Sequence, residues 1–257
     1  MSNSGELLPI EIAGKGPFLV LIHGFLEANT MWENLGLENH FTTVKIELPG
    51  HGKAPFIWEE QTISYAATQV KKVLEANQIQ EFHLMGHSLG GYVALEFASL
   101  FGLPEKLILM HSNFWQDDAQ KQKDRERVAK IVKTNKSLFL QEAIPALFLE
   151  PKKQFSAINN LLLEAKTIKS QSIANCSIAM KDRKDHTQTV VKFRAELLII
   201  QGEKDKLVPA HKMLKICAEL SLNVTAVKNC GHMGQHEKPL IIQKTIVGFL
   251  NPKSGHN

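Results

Sequence analysis

Two kinds of apolar spacing alternate along the chain. Short, nearly unbroken apolar runs occur at Phe18 to Ile22, Phe82 to Met85, Lys106 to Met110 and Leu197 to Ile200. Runs of this length suit strands covered on both faces, as in a parallel sheet. Between them the apolar residues fall at helical intervals. From Thr62 to Ala76, for example, Ile63, Ala66, Ala67, Val70, Val73 and Leu74 share one face of a helix. Leu7 to Ile12, Thr43 to Leu48 and Asn223 to Val227 read as further strands, and Asn29 to Leu37 as a weak helix. Two more helices are expected at Pro209 to Leu220, with proline in the first turn, and at Pro239 to Leu250. Strand alternating with helix predicts right-handed crossovers and an α/β fold with a mostly parallel central sheet flanked by helices.

The alternation stops between about 113 and 186. No strand signal occurs there, and three or four helical segments take its place. Ala119 to Lys133 is charged with a thin apolar stripe, Ser137 to Leu149 is strongly apolar, and Ile158 to Leu163 less so, with breaks at Pro145 and Pro151. This predicts an all-helical insert at 113–186 in a core formed by 1–112 and 187–257. The insert carries 14 Lys/Arg against 9 Asp/Glu, more than the +4 excess of the whole chain. Most such charge solvates helix faces, and the excess also raises the idea that the insert favours an anionic substrate group.

At 257 residues, with 44% hydrophobic and 22% charged residues, the chain can bury a substantial core. It is mildly basic, with a pI near 8.8. It has no dense Lys/Arg block, so no nucleic-acid partner is expected. The N-terminal stretch MSNSGELLPIEIAG has neither a charged nor an apolar signal region, and no membrane span is visible. Cys176, Cys217 and Cys230 are few and far apart, which fits free thiols and a cytoplasmic location.

The chemistry concentrates at Gly86-His87-Ser88-Leu89-Gly90-Gly91, between an apolar strand and a helical run. A Gly-x-Ser-x-Gly in that context forms a tight turn with Ser88 at its apex, and the Leu89 N–H points where an oxyanion would form. A serine hydroxyl needs a base, and the base needs an acid to orient it. Loops at the C-terminal ends of the other strands share one crevice. They supply Asp205, after the Leu197 to Ile200 strand, and His232, after the last strand. His236 is the alternative base, and Asp182, Asp185 and Asp118 are the competing acids. His232 and His236, four residues apart, have the spacing of a metal pair, but no third ligand is evident, and no metal is expected.

At these motifs the chain resembles the α/β-hydrolase fold superfamily, whose nucleophile, acid and histidine follow in that order. The likeness rests on His23-Gly24-Phe25, Gly86 to Gly91, Gly202-Glu203-Lys204-Asp205 and Gly231-His232, with Pro49-Gly50-His51-Gly52 as a further matching turn. It spans about residues 7 to 251 and places the helical insert where the family carries a cap. Asn113 stands where some relatives keep an acid. The resemblance implies a cofactor-free hydrolase with Ser88, Asp205 and His232 as catalytic residues, and Phe25 and Leu89 as oxyanion donors. His23 and Gly24, beside the oxyanion loop, and His87, beside the nucleophile, join Trp115, Phe139 and Phe148 as candidate substrate-binding residues. The three aromatics either line the acyl pocket or pack the core of the insert. The expected partner is a small-molecule ester or thioester, acted on by a monomer or homodimer. Lactonases and carbon–carbon bond hydrolases share the same triad, and some members of the superfamily are ligand receptors instead.

Overall fold

The computed structural model describes residues 7–54, 60 and 62–251. The first six residues of the N-terminal stretch discussed above lie outside them. Among the described residues, seven strands form one sheet in the order β1-β3-β2-β4-β5-β6-β7. The strands are β1 (Ile10–Ala13), β2 (Phe18–Ile22), β3 (Thr42–Ile46), β4 (His83–His87), β5 (Leu107–Met110), β6 (Leu197–Gly202) and β7 (Asn223–Val227). Only β1 runs antiparallel to its neighbour; every other pairing is parallel. The register aligns the C-terminal ends: Ile22 pairs with Gly86, His87 with Met110, and Met110 with Ile200. The loops leaving β2, β4, β5, β6 and β7 therefore open at one edge.

The unbroken apolar runs are explained by burial on both faces. Val20 and Ile22, Leu107 and Leu109, and Leu197 and Ile199 enter one core layer, beneath α1 (Ile63–Ala76), α2 (Leu89–Phe101) and α7 (Ala210–Leu220). The alternate residues Leu19, Leu21, Ile108, Met110, Leu198 and Ile200 enter the other layer, with Trp32 and the closing helix α9 (Pro239–Leu250). Each such side chain contributes roughly 1.5–3 kcal/mol on removal from water. Thr62 begins α1 as its N-cap, its side chain accepting the Tyr65 N–H at 3.1 Å. The weak helix expected at Asn29 to Leu37 is two 3₁₀ turns, Asn29–Leu35 and Leu37–Asn39, broken at Gly36 in the left-handed conformation. A short helix, α8 (Gly234–Glu237), was not visible in the apolar pattern.

Between β5 and β6 lie only helices: α3 (Ala119–Ala146), α4 (Phe155–Thr167), α5 (Ser170–Lys181) and α6 (Thr187–Lys192), with a 3₁₀ turn at Pro151–Gln154. This helical segment is consistent with a cap. The expected helices at Ala119 to Lys133 and Ser137 to Leu149 are one kinked element. Asn135 has non-helical φ −144° and ψ 61°, and its Oδ1 accepts the Leu138 N–H at 3.3 Å, capping the second half. Leu140, Ile144, Phe148, Ile158, Leu161 and Ile173 give the insert its own apolar core, joined by Leu26 and Met233 from the sheet side. All three cysteines are buried and unpaired. No described helix is long and apolar enough to cross a membrane.

Candidate active site

Ser88 stands between the last residue of β4 and the first of α2. Its φ of 48° and ψ of −112° are a conformation that side-chain-bearing residues rarely adopt. The surroundings hold it there. Its N–H donates to Met110 O at 3.0 Å, and its carbonyl accepts the Gly91 N–H at 3.0 Å and the Ser112 hydroxyl at 2.7 Å. The turn is crowded because α2 starts against the end of β2. A Cβ on Gly90 would lie 2.1 Å from Ile22 O, so only glycine fits.

Asp205 and His232 come from the loops after β6 and β7, along the same edge. His232 Nδ1 and Asp205 Oδ2 are 2.8 Å apart, both side chains buried. The other carboxylate oxygen of Asp205 accepts the Leu207 N–H at 2.8 Å and the Val208 N–H at 3.0 Å. Burial alone would raise the pKa of this carboxyl. The charge and hydrogen bond of His232 outweigh it, and the group is held well below the usual carboxylate range. An ionised acid on Nδ1 keeps a proton on that nitrogen and leaves Nε2 free to accept one. The backbone of His232 is tied to the insert, its N–H donating to Leu147 O at 3.2 Å.

The His23-Gly24-Phe25 loop lies beside this group. His23 Nδ1–H donates to Gly24 O at 2.8 Å, and His23 Nε2 accepts the Leu48 N–H at 3.0 Å. The ring is thus a fully buried strut between two loops. Leu26 follows with φ 66°.

Ser88 and His232 open into a cavity of about 490 Å³ between the sheet edge and the insert, a size suited to a small molecule. Phe25, Trp115 and Phe139 also line it, with Ala143, Leu147 and Val128 from α3 and the loop that follows it. Lys212 lies over the Trp115 ring, 4.5 Å from its centre. Four cations line the wall (Lys121, Arg125, Lys206 and Lys212), and so do four carboxylates (Glu27, Asp117, Asp118 and Asp124). The positive excess of the insert therefore sits elsewhere on its surface. Burial and the nearby Arg125 push the Lys121 ammonium below its ordinary pKa.

Of the remaining candidates, Asp118 and Asn113 line the cavity and the others do not. Phe148 is buried in the core of the insert, its ring 5.9 Å from that of His236. His23, Gly24 and His87 lie behind the cavity wall, and Leu89 is fully buried at the start of α2. His236 Nδ1 accepts from Asn34 Nδ2 at 3.2 Å. Asp118 caps α3 by accepting the Lys121 N–H, Asp185 accepts the Thr187 N–H, and Asp182 pairs with Lys181 at 3.5 Å. Asn113 accepts from Arg183, which also pairs with Asp117 at 2.7 Å. Among the described residues no group of three or more His, Cys, Asp or Glu could hold a metal ion.

Two residues at the site escaped the sequence reading. His111, with φ 47°, follows β5 and has Nδ1 3.6 Å from Asp205 Oδ2. That nitrogen accepts the Gly202 N–H at 3.3 Å, so the ring is neutral with its proton on Nε2; burial lowers its pKa to about 4. The strand-end rule that located Asp205 and His232 applies equally to His111. Glu27, buried behind the His-Gly-Phe loop, bonds to Gly24 and His87, and nothing in its spacing announced it.

The model of the alpha/beta hydrolase fold family matches residues 17–239. An uncharacterized protein of Mycobacterium tuberculosis is 35% identical over 102 residues, 38% of this chain and 30% of that protein, so the chain matches under a third of its length. Among solved structures, a thermophilic esterase from Thermogutta terrifontis superposes with a TM-score of 0.88 at 24% identity, over 97% of this chain and 95% of that one. The enol-lactonase of Burkholderia xenovorans does so with 0.80 at 18%, over 95% and 96%. At those identities the two superpositions speak for the fold alone. With sheet order, insert position and family match in agreement, the chain belongs to the alpha/beta hydrolase fold family.

Proposed function

We propose that the protein is a serine hydrolase that cleaves a carboxylic ester or thioester of a small molecule through an acyl-enzyme. The observation that carries this reading is the 2.8 Å contact between His232 Nδ1 and Asp205, beside a cavity that His232 lines and Ser88 enters from a strained turn. His232 Nε2 takes the proton of the Ser88 hydroxyl as its oxygen attacks the acyl carbon. Asp205 holds the ring and balances the imidazolium that forms. The N–H groups of Phe25 and Leu89 receive the negative charge on the carbonyl oxygen, with the N-terminus of α2 behind them. His232 then returns its proton to the leaving alcohol or thiol. Water, deprotonated by the same histidine, attacks the acyl group and frees Ser88. No cofactor enters this scheme. Residues 113–186 act as the cap, and Trp115 and Phe139 receive the acyl or alcohol part.

The esterase and the enol-lactonase with the same fold suggest which bonds to try. The test is a panel of p-nitrophenyl esters of increasing acyl length, with thioesters and lactones, on wild type and Ser88→Ala. Multiple turnovers by wild type and loss of turnover in Ser88→Ala support the reading. Labelling of Ser88 by a phosphonate without turnover on any member would favour a ligand receptor. Turnover retained by Ser88→Ala would remove the serine mechanism.

A further inference from the structure

Two buried ionisable side chains meet at the cavity wall, Glu27 in the wall and His87 behind it. Glu27 is 2% exposed and His87 not at all. Glu27 Oε2 accepts the Gly24 N–H at 2.6 Å and lies 2.9 Å from His87 Nδ1. The other ring nitrogen, His87 Nε2, lies 3.0 Å from the backbone carbonyl of His232. The carbonyl can only accept, and so can Glu27 Oε2 in the ionised state, which its 2.6 Å bond from the Gly24 N–H favours. A neutral imidazole has one N–H and would turn a lone pair towards one of them. Two protons satisfy both contacts, and the carboxylate balances the charge.

We propose that Glu27 and His87 form a buried carboxylate–imidazolium pair that positions the oxyanion loop and the catalytic histidine as one unit. One end of the pair grips the amide of Gly24, next to Phe25, and the other grips the main chain of His232. These are the loops that carry the oxyanion donor and the base in the reading above, on which this inference rests. The site is cut to fit the pair. A Cβ on Gly24 would lie 2.5 Å from Glu27 Oε2 and 2.7 Å from His87 Nδ1, so the glycine leaves room for the contact.

Electrostatics support the same protonation state. Burial pushes His87 down, but Glu27 outweighs it and Asp205 adds to the effect, so the pKa is raised. Burial pushes Glu27 up, but His87 outweighs it, with smaller help from the Gly24 N–H, and its pKa is lowered. The other groups facing the pair are His111 and His232, with ring centres 5.8 Å and 5.1 Å from that of His87, and His236, which senses both members. Removing one member strands a buried charge or an unpaired donor.

Glu27→Gln, His87→Gln, the double variant and Ser88→Ala are compared with wild type on the best ester of the panel. Glu27→Gln is expected to lower kcat about 10²-fold, with little change in KM, because donors and base are both displaced. With the nearby positive charge of His87 gone, the acid limb of the kcat/KM profile should move to higher pH by roughly half a unit to one unit. The double variant should lose no more than the worse single variant, since the two side chains act as a unit. Unchanged kcat in folded Glu27→Gln, an unmoved acid limb, or losses that multiply in the double variant would each overturn the proposal. Should the variants not fold, ¹⁵N NMR of wild type decides: His87 with both ring nitrogens protonated at pH 8 supports it, and a neutral ring overturns it. An inactive Ser88→Ala beside a fully active Glu27→Gln would sink the pair alone. An active Ser88→Ala would sink the serine mechanism, while the NMR result still judges the pair.

Discussion

The central sheet and the helical insert are held together in different ways. In the sheet, consecutive residues of β2, β5 and β6 enter two opposite core layers, so nearly every side chain is buried. The insert has one apolar core and a wide exposed surface, with Phe155 72% and Leu163 63% exposed. The site divides along the same line. The sheet edge delivers Ser88, Asp205 and His232 at fixed spacing, while the insert delivers Val128, Phe139, Ala143 and Leu147 as cavity wall. On the proposed reading, the groups that must meet within hydrogen-bond distance stand on the sheet edge, and those that would contact a substrate stand on the insert. The division is crossed at Leu147 O, which accepts the His232 N–H.

The largest test of this contrast changes chemistry without changing architecture. Asp205→Asn keeps an oxygen for the Leu207 and Val208 amides but removes the charge that holds His232. Turnover should fall about 10⁴-fold, with the thermal midpoint close to wild type. The converse change is Ile199→Ala, in β6 and fully buried. It should lower unfolding free energy by roughly 2–5 kcal/mol, read from urea titration, while kcat per folded molecule stays near wild type. If Ile199→Ala instead abolished turnover in the folded protein, the separation of scaffold and chemistry would fail.

The same contrast explains what was legible in the sequence. Strands buried on both faces write themselves as apolar runs, so β2, β4, β5 and β6 were located to within two residues. The nucleophile turn was legible because the glycines are demanded by contact, as at Gly90 against Ile22 O. The insert was harder. Its helices share one core with many exposed positions, so α5 and the continuity of α3 through Asn135 left a weak trace. The spatial company of a side chain was harder still. Phe139 and Phe148 lie nine residues apart on similar stretches, yet one lines the cavity and the other fills the insert core. Glu27 needed the third dimension, because its partner His87 comes from another strand end, whereas His111 stood at a strand end that the sequence already marked.

The seam between the two regions supplies an intermediate effect with a pH signature. Glu96, on α2, is buried and bonds to His186 Nε2 at 2.9 Å and Lys184 Nζ at 3.3 Å, both just past α5, and to the Ser64 hydroxyl. The bond to His186 is the largest cause lowering its pKa from 4.5 to about 2, against burial and with the aid of Ser64 and Lys184. A folded-state pKa below the unfolded value stabilises the fold above pH 4.5, and this stabilisation is lost as pH falls towards 2. Glu96→Gln should therefore be less stable than wild type by roughly 1.5–3 kcal/mol at pH 7, and the gap should shrink below pH 4.5 and close only towards about pH 2. Denaturant titrations across that range check it; a gap independent of pH would mean that the charge contributes nothing.

The smallest effect is expected where the insert only shapes the cavity. Phe139 is partly buried on α3, packs against the insert core and faces the same space as Ser88. Phe139→Ala enlarges the cavity wall without touching Asp205, His232 or the turn at Ser88. Contact with a short acyl chain is then lost while room for a longer one is gained. The ratio of kcat/KM for long over short acyl esters should rise about tenfold, a change of the size that one or two methylene contacts confer. Because no reacting group moves, the pH profile should overlay that of wild type. A uniform fall in kcat across all chain lengths would show instead that the insert helps to hold the reacting groups, through Leu147 and the His232 backbone, and that the two regions are less separate than their packing suggests.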